Sequence, residues 1–164
     1  MRLGPWLQSS ENQFGFKKGF GCNHAIYSLQ ATVDYFVANQ STVNICALDL
    51  SKAFDKLSHK LLYLKLMDKN VPINLIKILY CWYSSSSMII KWGDAFSYQV
   101  SLTAGVRQGG VLSPMLFACY VDDMLKKLNN SGLGCHINQV CYNAIMYADD
   151  ILLMSISVCD TKVG

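Results

Sequence analysis

Two adjacent carboxylates, Asp149 and Asp150, interrupt the apolar stretch AIMYADDILLM, residues 144–154. Neighbouring like charges repel, and burying a charge is costly unless it is paired or binds a metal. A third carboxylate, Asp49, ends the apolar run TVNICALDL, and Asp55 lies just beyond it. If the strands of Asp49 and Asp149 lie side by side, three carboxylates converge at one end of a sheet. Such a cluster becomes favourable around hard divalent cations such as Mg²⁺, which choose oxygen ligands. Two such ions about 4 Å apart activate an attacking hydroxyl and stabilise a leaving oxygen in phosphoryl transfer. The plain alternative is a polar turn, since Asp is common in turns. That alternative explains one Asp better than it explains a pair in a turn with no Gly, Asn or Pro and apolar flanks.

A second Tyr-x-Asp-Asp string, YVDD at residues 120–123, needs a different reading. It falls inside a segment where Leu116, Tyr120, Met124 and Leu128 keep helical spacing, with Leu125 beside them. Asp122 and Asp123 are expected to be solvated helix residues.

The elements that must position the acidic residues can be read from periodicity and punctuation. NHAIYSLQATVDYFVANQ, from about Asn23, predicts a helix with Ile26, Leu29, Val33, Phe36 and Val37 at helical spacing. TVNICALDL predicts a buried strand ending near Asp49. Ser58 can cap the helix HKLLYLKLMDK, and Pro72 opens a second, INLIKILYCWYS. SMIIKWGDAFSYQVSL predicts two strands around a Gly93–Asp94 turn, and TAGVRQGGVL a glycine loop. Ser113 and Pro114 open a helix as cap and first position, running through MLFACYVDDMLKKL to near Asn129–Gly132. CHINQVCYNAIMY and ILLMSISV predict strands on either side of the acidic pair. The fold class is α+β: an antiparallel sheet with helices packed on one face.

Composition narrows the field less. The 164 residues suit one domain or part of one, and 52% hydrophobic content argues against general disorder. A net charge of +3 names no partner. No secretory signal is visible, and charges break the apolar runs short of a membrane span of about 18 residues. Seven cysteines, with no CxxC pair, predict reduced, buried thiols in an intracellular protein of nucleus or cytoplasm, with no disulfide-linked partner. Cys135, His136 and Cys141 are a weak zinc alternative lacking paired spacing.

With ALDLSKAFD, AGVRQGGVLSP and YADD in this order, the chain resembles a reverse transcriptase, more closely that of LINE-type, non-LTR retrotransposons. NQFGFKKG and KAFDKLSHKLLYLKL also fit that group, and the match runs from about Glu11 to Ser157. The resemblance implies a partial polymerase right hand: a fingers remnant over about 11–42 and a palm over 43–157 with motifs A, B and C. It implies Asp49 and Asp149 as main metal ligands, Asp150 as the third acidic residue, and the Leu50 carbonyl completing one shell, for two Mg²⁺ with Mn²⁺ as a substitute. Phe54 would sit under the sugar of the incoming nucleotide, where a ring clashes with a 2′-OH and favours dNTPs; core packing is its alternative. Gly105, Val106, Arg107, Gln108, Gly109 and Gly110 match the loop that contacts nucleotide and template, with a flexible connector as the alternative. Gly105 falls to the template side, and Arg107, Gln108 and Gly109 to the nucleotide. Lys17 and Lys18 match residues that touch template or triphosphate, or else belong to a solvated loop. Tyr147 would pack near the primer end, and His59 fits helix-start packing better than catalysis.

The implied function is RNA-directed DNA synthesis, with RNA template, DNA primer and dNTPs as partners and no membrane. The resemblance also implies a helix and then a thumb after the acidic hairpin, where SISVCDTKVG ends instead and TKVG does not look like family sequence. A truncated copy with impaired synthesis is therefore expected. The alternatives are a non-catalytic remnant with at most weak nucleic-acid binding, and a group II intron maturase-like polymerase.

Overall fold

Helix boundaries follow the local chemistry. Gly21 stands at the N-terminus of α1 (Cys22–Ala38), where the His24 Nδ1 accepts the Gly21 N–H at 3.0 Å. Ser58 caps α2 (His59–Asp68), its Oγ accepting from the Leu61 N–H at 3.5 Å. Pro72 caps α3 (Ile73–Ser84), where its missing N–H costs nothing. In α4 (Ser113–Asn130) the first intrahelical acceptor is the Leu112 carbonyl, bonded by Leu116 N–H at 2.9 Å. Leu112 therefore precedes the helix and Ser113 and Pro114 are its first two residues, one position later than their spacing predicts.

The computed structural model describes residues 6–158; Cys159 and the closing TKVG lie outside the described residues. The chain divides into two units, one made of the residues up to Gln8 with Lys52–Tyr120, the other of Ser9–Ser51 with the chain from Val121 on.

In the first unit, α2 packs on α3 and the core gathers Leu57, Leu62, Leu66, Ile76, Leu79, Tyr83, Val106, Leu116 and Phe117. The expected hairpin forms around Gly93–Asp94, but in two pieces. β3 (Lys91–Trp92) pairs with β4 (Ala95–Phe96), and β2 (Ser87–Met88) with β5 (Val100–Ser101). The register slips by one residue between the pieces, as a bulge does.

In the second unit, a three-stranded antiparallel sheet has the order β1 (Asn44–Asp49), β9 (Asp150–Ser155), β8 (Ala144–Tyr147). β1 is an edge strand whose residues alternate between half-buried and exposed, not the fully buried strand its composition predicts. Helix α1 packs against this sheet through Ala25 and Phe36, with Leu29 beside them, joining Ile145 and Met154 in one core. The buried line of α1 is Ala25, Thr32 and Phe36. Ile26 and Val37 are exposed, so the expected face is rotated by about one residue. A further hairpin pairs β6 (Cys135–Ile137) with β7 (Val140–Tyr142) through Asn138–Gln139, both at positive φ (48° and 69°). That is the backbone signature of a two-residue type I′ turn. Among the described residues no helix is long and apolar enough to cross a membrane.

Candidate active site

β8 and β9 are joined by a two-residue turn, because Tyr147 pairs with Asp150 and only Ala148 and Asp149 lie between them. Ala148 has φ 58°, a left-handed conformation uncommon for a residue with a Cβ. β1 runs on the other side of β9, and its register sets Asp49 directly opposite Asp150. Residues paired in this way share a face, with Cβ atoms about 4.5–5.5 Å apart. Tyr147, Asp150 and Asp49 thus form one row across the sheet. Ile145, Leu152 and Ala47 form the next row on the same face. Both rows line a cavity of about 390 Å³ beneath Cys22, Ala25, Ile26 and Leu29 of α1. Leu50 N–H reaches the Asp149 carbonyl at 3.4 Å, so the backbone after Asp49 is tied to the acidic turn.

The adjacency that the sequence reading supposed is therefore present: Asp49 and Asp150 face each other, and Asp149 is their neighbour in the turn. Like charges directly opposite are destabilising on a sheet, and a divalent cation between oxygen donors relieves the repulsion. Three carboxylates and the Leu50 carbonyl are all hard oxygen donors and fit Mg²⁺ or Mn²⁺ in kind. Among the described residues, no three His, Cys, Asp or Glu side chains are already gathered at ligating distance of one point.

A fully buried glutamine meets this turn from the edge of β8. Phe14 N–H bonds the Met146 carbonyl and Met146 N–H the Asn12 carbonyl, both at 2.8 Å. Gln13 between them has 0% exposure. Its Oε1 accepts from Gly15 N–H at 2.8 Å and Ala148 N–H at 3.2 Å, and its Nε2 donates to the Ala148 carbonyl at 3.2 Å. Sequence reasoning assigned NQFGF no structural role, because nothing local marks a polar residue that will be buried against a turn 135 residues away.

Asp122 corrects the expectation of a solvated residue: it is 1% exposed. Its Oδ1 accepts from Ser10 N–H at 2.6 Å and Ser10 Oγ–H at 2.7 Å, and Oδ2 pairs with Lys126 at 2.9 Å. The carboxylate pins the chain entering the fold to α4, which helical spacing alone could not reveal. Asp123 is half-buried. Lys17 is held by its own loop, with Nζ 2.6 Å from the Ser10 carbonyl. Burial lowers its pKa, against the opposing pull of Glu11 and Asp122. Lys18 is exposed.

The remaining site residues predicted from sequence sit in the first unit. Phe54 stacks on the buried Phe117 ring, centroids 4.7 Å apart. Gly105 has φ 87°, and a Cβ there would come within 2.9 Å of the Asp55 carbonyl. The close approach that glycine permits is thus made to the chain's own backbone. Gly105 N–H bonds the Leu57 carbonyl and Val106 N–H the Phe54 carbonyl, both at 2.8 Å. His59 Nε2 lies 2.6 Å from the Gly105 carbonyl and its ring stacks on Tyr83 at 4.6 Å, so it serves packing at the helix start, as expected. The Tyr83 hydroxyl is pushed up by burial, against the lowering effects of Arg107 and Ser113. Arg107 is exposed, its guanidinium 6.0 Å from the Trp82 ring centroid and 3.4 Å from Ser86 Oγ. Gln108 Nε2 reaches Asp55 Oδ1 at 3.4 Å, and Gly109 sits at φ 82°. The loop is tied down at Gly105 and Val106, whereas Arg107, Gln108 and Gly109 are exposed.

The cysteines depart from the expectation of buried thiols. Cys119 and Cys135 are buried, Cys46 and Cys141 half-buried, and Cys22 and Cys81 exposed. Cys135 and His136 occupy successive positions of β6 and face opposite sides, so they do not form the zinc cluster weighed above.

An antiparallel sheet that pairs an acidic strand end with a Tyr-x-Asp-Asp turn, in a chain carrying a glycine loop before a Ser-Pro helix, defines a polymerase class. The family described as reverse transcriptase (RNA-dependent DNA polymerase) matches residues 2–162, and the chain belongs to it. The chain is similar, at 29% identity over 99% of its length, to the Retrovirus-related Pol polyprotein from type-2 retrotransposable element R2DM of Drosophila melanogaster, covering 15% of that protein. It is 30% identical over 68% of its length to the corresponding polyprotein from type-1 retrotransposable element R2 of Nasonia vitripennis, covering 11% of it. It is 28% identical over 70% of its length to a probable RNA-directed DNA polymerase from transposon X-element of Drosophila melanogaster, covering 12% of it. The relatives are R2 and other non-LTR retrotransposon proteins, and the chain spans well under a third of the length of each of these three.

Proposed function

We propose that this chain carries the nucleotidyl-transfer residues of an RNA-directed DNA polymerase encoded by a non-LTR retrotransposon, with a fingers remnant over about 11–42 and palm over 43–157. The observation that carries the reading is the register that sets Asp49 against Asp150 beside the turn bearing Asp149. Asp49, Asp149 and Asp150, with the Leu50 carbonyl, would hold two Mg²⁺ or Mn²⁺. When bound, such ions supply Lewis acidity toward phosphate oxygens and a primer hydroxyl. The chain's own residues bind and orient the reactants. Arg107, Gln108 and Gly109, on the exposed part of their loop, would take the triphosphate and base of a dNTP. Phe54, already stacked on Phe117, presents a rigid ring suited to discriminating against a 2′-OH. Gly105 would support the template side of the loop. Lys18 is the freer of the two basic residues for template phosphate, because Lys17 is engaged by Ser10. Tyr147, in the row of Asp49 and Asp150, would pack near the primer end. The partners are an RNA template, a DNA primer and dNTPs, in the nucleus or cytoplasm.

The test is primer extension on an RNA template with Mg²⁺ and dNTPs, running the chain beside Asp149→Ala. Weak extension by the first and none by the second is expected. The second reading, a nucleic-acid binder without catalysis, is favoured by carboxylates that are not gathered at one point. It replaces the first if a folded chain binds primer–template but extends nothing.

A further inference from the structure

We propose that Gln13 is a positioning residue for the acidic turn: its buried side-chain amide grips both polar backbone groups of Ala148 and holds that residue in the left-handed conformation that presents Asp149 and Asp150. The proposal rests on the metal-binding reading of those carboxylates. Ala148 at φ 58° is strained for a residue with a Cβ, and such conformations persist only where the surroundings over-determine them. Gln13 supplies that determination. Its Oε1 takes the Ala148 N–H and its Nε2 meets the Ala148 carbonyl, each at 3.2 Å, so one planar amide spans both groups. The orientation of the amide is set by its partners, since two N–H groups face the oxygen and one carbonyl faces the nitrogen. The Ala148 carbonyl is half of the peptide that leads into Asp149, so the grip constrains where the carboxylate begins.

Two further observations show that the approach is built. Gly15 lies against Ala148 so closely that any Cβ there would collide with the Ala148 nitrogen. The residues on either side of Gln13 pair with Met146 of β8, which fixes where the Gln13 side chain starts. An apolar residue of similar size could fill the space, but it would leave the Ala148 groups without this partner.

The experiment uses the whole chain, with amide hydrogen exchange read by NMR and Mn²⁺ affinity read by EPR titration. The variants are Gln13→Met, Gln13→Asn and the double variant Gln13→Met with Ala148→Gly. In Gln13→Met, exchange at Ala148 and Gly15 should rise by about ten-fold or more while Leu152 in β9 stays protected. Mn²⁺ affinity should fall by about 10-fold, the scale of loss seen when a group orienting a ligand is removed. Adding Ala148→Gly should restore most of that affinity, because glycine takes positive φ without a steric penalty. If Gln13→Met does not fold, Gln13→Asn is read in its place. It keeps a polar amide but pulls it one methylene away from the turn, and the same rise at Ala148 is expected. Unchanged exchange at Ala148 in either folded variant overturns the grip. Unchanged Mn²⁺ affinity with Ala148 deprotected, or no rescue by Ala148→Gly, reduces Gln13 to a packing residue. A wild-type chain that binds no Mn²⁺ overturns the metal reading instead, and exchange at Ala148 still decides the grip.

Discussion

Asp49 and Asp150 stand opposite each other although strand pairing gives no reward for two like charges there. Asp122 shows how differently a carboxylate behaves when the protein itself satisfies it: buried, and bonded by Ser10 and Lys126. The two Tyr-x-Asp-Asp strings therefore separate by experiment. Asp122→Ala should lower stability by about 1–3 kcal/mol, because it strips the half-buried Ser10 of its charged acceptor. The measurement is a thermal or urea melt. Asp123→Asn should leave Mn²⁺ binding intact, whereas Asp149→Ala should abolish Mn²⁺ binding in a chain that still melts cooperatively. Loss of Mn²⁺ binding in Asp123→Asn would mean that the metal site had been assigned to the wrong string. The acidic residues of the hairpin were legible because their flanks are apolar and the pair is conspicuous. Asp122 and Gln13 were not, because what distinguishes them is a partner more than a hundred residues away.

At the scale of elements, the segment after β1 and the glycine loop before α4 are joined by backbone hydrogen bonds at Leu57–Gly105 and Phe54–Val106. Gly105→Ala would force a Cβ to about 2.9 Å from the Asp55 carbonyl at a φ of 87°. The expected cost is about 1–3 kcal/mol of stability. Arg107 would shift with its loop, so primer extension, where present, should fall more than the melt alone predicts. A melt unchanged by Gly105→Ala would mean that the loop is not held in this way. The helices were readable from their caps and periodicity, and the Gly93–Asp94 turn from its chemistry. The rotated face of α1 was not readable, because Ile26 and Val37 satisfy a helical pattern as well as Ala25 and Thr32 do. Only the sheet beneath decides which line is covered.

For the whole molecule, thiol accessibility reports the fold at six positions at once. Native-state alkylation near pH 8, followed by peptide mass mapping, should label Cys22 and Cys81 first and leave Cys119 and Cys135 until the chain unfolds. Burial pushes the Cys135 thiol up, and Cys141 beside it adds to the shift. A folded-state pKa above the unfolded one favours the neutral thiol. Its stabilising contribution is present below the ordinary thiol range and is lost as pH rises through the raised value. Stability should therefore fall on the alkaline side, with Cys135 labelling rising in step. Early labelling of Cys135 at pH 8 would contradict the β6–β7 packing.

The sequence by itself determined the family, the order of helices and strands, and which carboxylates end the strands. These depend on local propensity, on turn chemistry and on motifs a few residues long. The tertiary structure alone decided that Asp49 meets Asp150, that β1 lies at a sheet edge, that Asp122 is buried, and that Gln13 reaches the strained Ala148. Register and burial arise from contacts between segments far apart in the chain, and a pattern within one segment holds no information about its distant partner.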